Sequence, residues 1–91
     1  MIEIKRQASS LIVKGHANQN QYGKDIVCAG VSAIVMGALN WFNEKAKIIV
    51  NDGYIEINVE DNESEKAYLD LIMIQLKAIE AIYKKYIKIV S

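Results

Sequence analysis

The chain has one histidine and one cysteine, His16 and Cys28, twelve residues apart. A thiol beside an imidazole is the smallest activated nucleophile. The imidazole moves a proton while the thiolate attacks a carbonyl carbon. Residues 15–33, GHANQNQYGKDIVCAGVSA, place a polar stretch between the two and an apolar one after Cys28. Taken singly, each residue has a plainer reading. A cysteine within an apolar helix is commonly a small buried hydrophobe, and a histidine at a strand end is commonly a partly exposed polar group.

Position argues for chemistry. Asp25 is a good N-cap, and the apolar run starts directly after it, which would make Cys28 the third helical residue. Free N–H groups and the helix dipole in a first turn favour negative charge, and so favour a thiolate. The same N–H groups suit an oxyanion. His16 stands where a strand runs out into the loop leading to that helix, so both side chains are expected at one end of a sheet. Asp25 has two open roles: helix cap, or a carboxylate steering His16 or a substrate backbone. Ser32 lies one turn beyond Cys28 on the same helix face. Its hydroxyl either bonds back to its own helix or supports the site. Met36 and Trp41 read as core or subunit-contact residues. One cysteine and one histidine make half a zinc site, and Gly15 and Gly23 match neither nucleotide fingerprint. Neither metal nor cofactor is expected.

The elements that position these residues follow from periodicity. Ile2 and Ile4 alternate with Glu3 and Lys5, which predicts a half-buried strand over Met1–Gln7, and Leu11–Lys14 reads as a second. Asn18 to Gly23 is polar with no face to bury, hence an exposed loop. From Ile26 to Phe42 apolar residues fall on nearly every side, predicting a helix buried all round. Within it Ala29, Gly30, Ala33 and Gly37 recur three or four apart, a spacing that permits close approach to a sheet or another helix. Lys47–Val50, Asn51-Asp52-Gly53 and Tyr54–Val59 form a hairpin, with Asp-Gly supplying positive φ angles. Asn62 and Glu65 resemble a capping box. Leu69, Ile72, Leu76, Ile79 and Tyr83 then mark an amphipathic helix, and Tyr86–Val90 is a possible last strand. The order is ββαββα(β). It predicts a single α+β domain over 1–91, an antiparallel or mixed sheet with two helices on one face.

The totals set bounds. Ninety-one residues give a thin core, yet 52% are hydrophobic, so some apolar surface is expected to meet a second subunit. Eleven acidic residues balance eleven basic ones, and no basic stripe suggests direct nucleic-acid binding. A lone cysteine gives no internal disulfide and no sign of an oxidising compartment. MIEIKRQASS, where acid and base interrupt the apolar residues at once, is not expected to act as a signal peptide. The seventeen residues Ile26–Phe42 are short for a membrane span and include Gly30, Ser32, Gly37 and Asn40.

The segment 15–33 resembles the ribosomal-processing cysteine protease family of low-GC bacteria. The likeness rests on Gly15-His16-Ala17, a polar loop to Gly23, and Asp25-Ile26-Val27-Cys28-Ala29-Gly30-Val31-Ser32-Ala33. Length and element order fit as well. Gly30 departs from the alanine the family often has. The resemblance implies a small cytoplasmic α+β homodimer that removes a short N-terminal extension from the precursor of a large-subunit ribosomal protein, number twenty-seven. It implies His16 as base and Cys28 as nucleophile, Asp25 and Ser32 as supporting residues, and Gly15 and Gly23 as loop hinges. The Ala17–Lys24 loop would then order over an extended peptide. The alternatives are a non-enzymatic ribosome-associated protein-binding homodimer, with Cys28 mere packing, and a structural dimer without a site.

Overall fold

The computed structural model describes residues 1–15 and 24–90, with backbone alone at Lys24 and Asp25. His16 and Gly23, like most of the Ala17–Lys24 loop, lie outside the described residues. The alternating amino-terminal segment forms β1 (Ile2–Gln7), which turns at Ala8-Ser9 into β2 (Ser10–Lys14). The two pair antiparallel, Ile4 opposite Val13 and Arg6 opposite Leu11. The Asp-Gly turn joins β3 (Lys47–Asn51) to β4 (Tyr54–Asn58). β4 docks antiparallel on β2, Leu11 opposite Ile57. The last segment, β5 (Ile87–Val90), runs parallel to β1, Ile2 opposite Ile87. The result is a mixed five-stranded sheet in the order β3-β4-β2-β1-β5.

Register assigns the faces. Ile2, Ile4, Leu11, Val13, Ile57 and Ile87 share one side and are buried there. Glu3, Lys5, Lys14, Glu56 and Lys88 share the other. The buried side carries α1 (Lys24–Ala38) and α2 (Glu63–Ile82), which also pack against each other. Val27, Val31, Val35 and Ala38 from α1 meet Leu69, Ile72, Met73 and Leu76 from α2 in one core with the strands. Full burial of each such Ile or Leu contributes roughly 1.5–3 kcal/mol. The α+β class, the element order and two helices on one face agree with the sequence expectation.

Three local expectations need correction. First, α1 is not buried all round. Ile26 and Met36 are about half exposed, at 51% and 45%, and Ala29, Ala33 and Gly37 are exposed too. The sheet and α2 cover two flanks, and a two-layer fold has nothing to cover the third. The regular helix also ends at Ala38, followed by a 3-10 turn over Leu39–Trp41. Of the small residues, only Gly30 makes a close approach, toward Ile79 of α2, while a Cβ at Gly37 would meet nothing within 4 Å.

Second, the hairpin turn uses one positive φ, not two. Gly53 adopts +71°, and no non-glycine residue among those described has a positive φ. The Gly53 carbonyl accepts a hydrogen bond from the Gly15 N–H at 2.9 Å, so the turn is tied to the end of β2. Third, the capping box is half formed. Asn62 caps α2 through its side chain, accepting from the N–H groups of Ser64 and Glu65. The Glu65 carboxylate instead accepts from the Asn43 N–H at 2.9 Å. It is 4% exposed and fastens the α1–β3 connection to the start of α2.

Candidate active site

α1 presents three flanks. Val27, Val31 and Val35 face the sheet, Gly30 faces α2, and Cys28, Ser32 and Met36, four apart, form the flank toward the β3–β4 hairpin. That flank is one wall of a cleft of about 240 Å³. The opposite wall is the hairpin end, Val50 to Ile55, and the floor is Ile2, Val13 and Val31. Among the described residues Gly15 also lines the cleft.

Cys28 is half-buried and packs against the core edge while opening on this cleft. It is the fifth described residue of α1 (Lys24–Ala38), which already includes Asp25. Asp25 is therefore a helical residue and not the N-cap, since the helical hydrogen bonding extends further upstream than the apolar pattern does. Helical Cα–Cβ bonds lean toward the helix N-terminus, so the Cys28 side chain leans toward the amino-terminal end of α1. Ser32 is exposed, lines the cleft, and makes no hydrogen bond among the described residues. The back-bond to its own helix is not formed, which leaves its hydroxyl available in the cleft.

Gly15 has a sharply defined place. Its φ is +106°, and a Cβ there would run into the Met1 carbonyl oxygen and lie 3.3 Å from the Met1 carbonyl carbon. Only glycine fits without moving the start of β1. With its N–H held by Gly53, Gly15 fixes the point from which the chain departs toward His16.

Of the six residues singled out by sequence, the structure thus brings Gly15, Cys28 and Ser32 to one cleft. The side chains of His16 and Asp25, and Gly23 altogether, lie outside the described residues. Sequence reasoning missed the hairpin wall, Asn51 to Tyr54, and the part played by Met36. The Asp-Gly pair was read only as a turn. Its place beside Gly15 follows from the β2–β4 register, Lys14 opposite Tyr54, which no local pattern signals.

Beside the turn, on the outer sheet face, Glu56 accepts from Asn58 Nδ2 at 2.7 Å and from the Tyr54 hydroxyl at 2.5 Å. These bonds, Asn58 first, hold the Glu56 carboxyl below its ordinary pKa. The hydrogen bond to Glu56 is the main cause that raises the Tyr54 hydroxyl. Among the described residues no three His, Cys, Asp or Glu side chains gather as a metal site, and no helix is long and apolar enough to cross a membrane.

The model of the family described as cysteine protease Prp matches residues 1–88 of the chain. The ribosomal processing cysteine protease Prp of Mycoplasma genitalium is 34% identical over 94 residues, covering 98% of this chain and 94% of the relative. An essential ribosomal processing protease Prp from Staphylococcus aureus, crystallised with a substrate peptide, superposes with a TM-score of 0.81 at 29% identity. The match covers 98% of this chain and 95% of that one. The same protease with a covalently linked product peptide gives a TM-score of 0.77 over 97% and 94% of the two chains, again at 29% identity.

Proposed function

The chain belongs to the cysteine protease Prp family and is a cysteine peptidase, and from that premise we propose that Cys28 is its nucleophile and His16 its base. The observation that carries this is the cleft itself. The only cysteine opens on an apolar cleft whose lining also includes Gly15, the residue directly before the only histidine. The substrate is the precursor of a large-subunit ribosomal protein, number twenty-seven, from which a short N-terminal extension is removed in the cytoplasm. Its relative in Staphylococcus aureus binds a substrate peptide, which supports an extended peptide as the occupant here.

In this mechanism the Cys28 thiol gives its proton to His16, and the sulfur attacks the scissile carbonyl. The oxyanion is held by N–H groups at the start of α1. The imidazolium returns the proton to the departing amine, which leaves an acyl-enzyme thioester and a free amino terminus. Water, deprotonated by His16, then hydrolyses the thioester and restores the thiol. Asp25 and Ser32 support the site, Ser32 by its unengaged hydroxyl. Gly15 and Gly23 bound the loop that orders over the peptide. Two copies assemble as a homodimer, supported by the uncovered outer stripe of α1 (Ile26, Ala29, Ala33 and Gly37) and by edge strand β3, where Ile48, Ile49 and Val50 are exposed.

The test is incubation of purified protein with a peptide spanning the extension and its junction, with products read by mass spectrometry. Wild type should cut once. Cys28→Ala and Cys28→Ser should bind the peptide and leave it whole. His16→Ala should be slower by about 10²–10⁴-fold, the contribution of a positioned base. Undiminished cutting by Cys28→Ala would overturn the mechanism.

A further inference from the structure

The cleft that holds Cys28 is lined largely by apolar side chains. Among the described residues lining it, Asp52 alone carries a formal charge. That carboxylate stands on the wall facing α1, at the hairpin tip. Among the described residues it forms no hydrogen bond and no ion pair. The nearest cation in register is Lys14, opposite Tyr54. Lys14 projects from the outer sheet face with Glu3 and Glu56, and it too is unpaired with Asp52. Nor is the tip free to turn away, since the Gly53 carbonyl is anchored by the Gly15 N–H. The net charge of the chain is zero, so the field at this rim is set locally.

We propose that Asp52 is a specificity residue: it selects peptides that carry a lysine or arginine side chain near the scissile bond. Apolar side chains of the peptide fill the cleft against Val13, Val31 and Met36, and the cation pairs with Asp52 at the rim. A side chain is favoured over a free amino terminus because an endopeptidase's substrate runs through the cleft in both directions. This inference rests on the reading of the cleft as the peptide site.

Binding and turnover test the two separately. Fluorescein-labelled, N-acetylated decapeptides with an apolar centre are prepared with a single lysine at successive positions, each beside a glutamine counterpart. Affinity is measured on the Cys28→Ala protein, which cannot cut them. At low salt one lysine position should bind about 3–10-fold tighter than its counterpart, a preference falling below about twofold in ~0.5 M salt, as expected of a rim ion pair. Asp52→Asn, which keeps a residue suited to the turn, should abolish the preference. Asp52→Lys should invert it toward a glutamate peptide. An equal loss for both peptides in Asp52→Asn, or no lysine preference at any position, overturns the proposal. Wild-type turnover of the same peptides reads the peptidase assignment alone. An intact preference without turnover supports Asp52 and rejects the catalytic assignment, and turnover without a preference does the reverse.

Discussion

Replacing Gly15 by alanine inserts one methyl group, and the structure says what that methyl would meet. At φ +106° an L-residue sits in a region costing about 1–3 kcal/mol. The new Cβ would also press into the Met1 carbonyl, with the Ile2 Cα 3.5 Å away. All of these neighbours are backbone, so the start of β1 must shift or Gly15 must rotate. Either movement breaks the 2.9 Å bond from the Gly15 N–H to the Gly53 carbonyl, a loss of about 1 kcal/mol. The total is about 2–4 kcal/mol, a large share of the about 5–15 kcal/mol that holds a small domain folded. At about 4–8 °C per kcal/mol, the melting temperature should drop by roughly 8–32 °C. Urea unfolding followed by circular dichroism gives the free energy, and calorimetry the midpoint. Gly37→Ala is the comparison within one protomer: its Cβ meets nothing of its own chain within 4 Å, and relief of helical glycine should stabilise the protomer by up to about 1 kcal/mol. A Gly15→Ala loss below about 0.5 kcal/mol would refute the steric account.

Glu56 gives a pH signature. Its carboxyl is held below the ordinary value of 4.5, so its contribution is present above that pH and fades as pH falls through the lowered folded value. Glu56→Gln should flatten the stability profile in that acidic window and leave the slope near neutrality unchanged, as read by urea midpoints against pH. For assembly, the outer stripe of α1 and the β3 edge should bury against a second copy. Light scattering at micromolar concentration should report twice the 10.2 kDa chain mass, and Ala33→Glu should shift it toward the monomer. A monomeric wild type would count against the homodimer.

The parts of the fold legible in sequence are those in which neighbours along the chain decide the outcome. The alternation Ile2-Glu3-Ile4-Lys5 needs only one wet and one dry side to specify β1. The spacing Leu69-Ile72-Leu76 likewise specifies the dry face of α2, and all three are fully buried. Cys28 and Ser32 share a face because helical geometry puts residues four apart in line. What stayed hidden depends on distant pairing. That α1 would keep an open flank depends on how many layers cover it, which its own residues do not encode. That Asp52 would stand across a cleft from Cys28 depends on β4 lying beside β2 some forty positions away. Glu65 shows the same limit: its spacing from Asn62 fits a cap, and its carboxylate was taken by Asn43 from another segment.

The sheet also sends the two ends of the chain in opposite directions. β1 begins at the cleft, where Ile2 forms part of the floor and the Met1 carbonyl lies against Gly15. β5 runs parallel to it and reaches Val90 beside Lys5, toward the far end of the sheet. A purification tag, dye or surface tether attached at Met1 would therefore start at the mouth of the cleft and compete with whatever enters it. The same attachment beyond Val90 leaves the mouth clear. Kinetic and binding work on this chain is thus best done with carboxyl-terminal fusions, and amino-terminal ones serve as deliberate blockers.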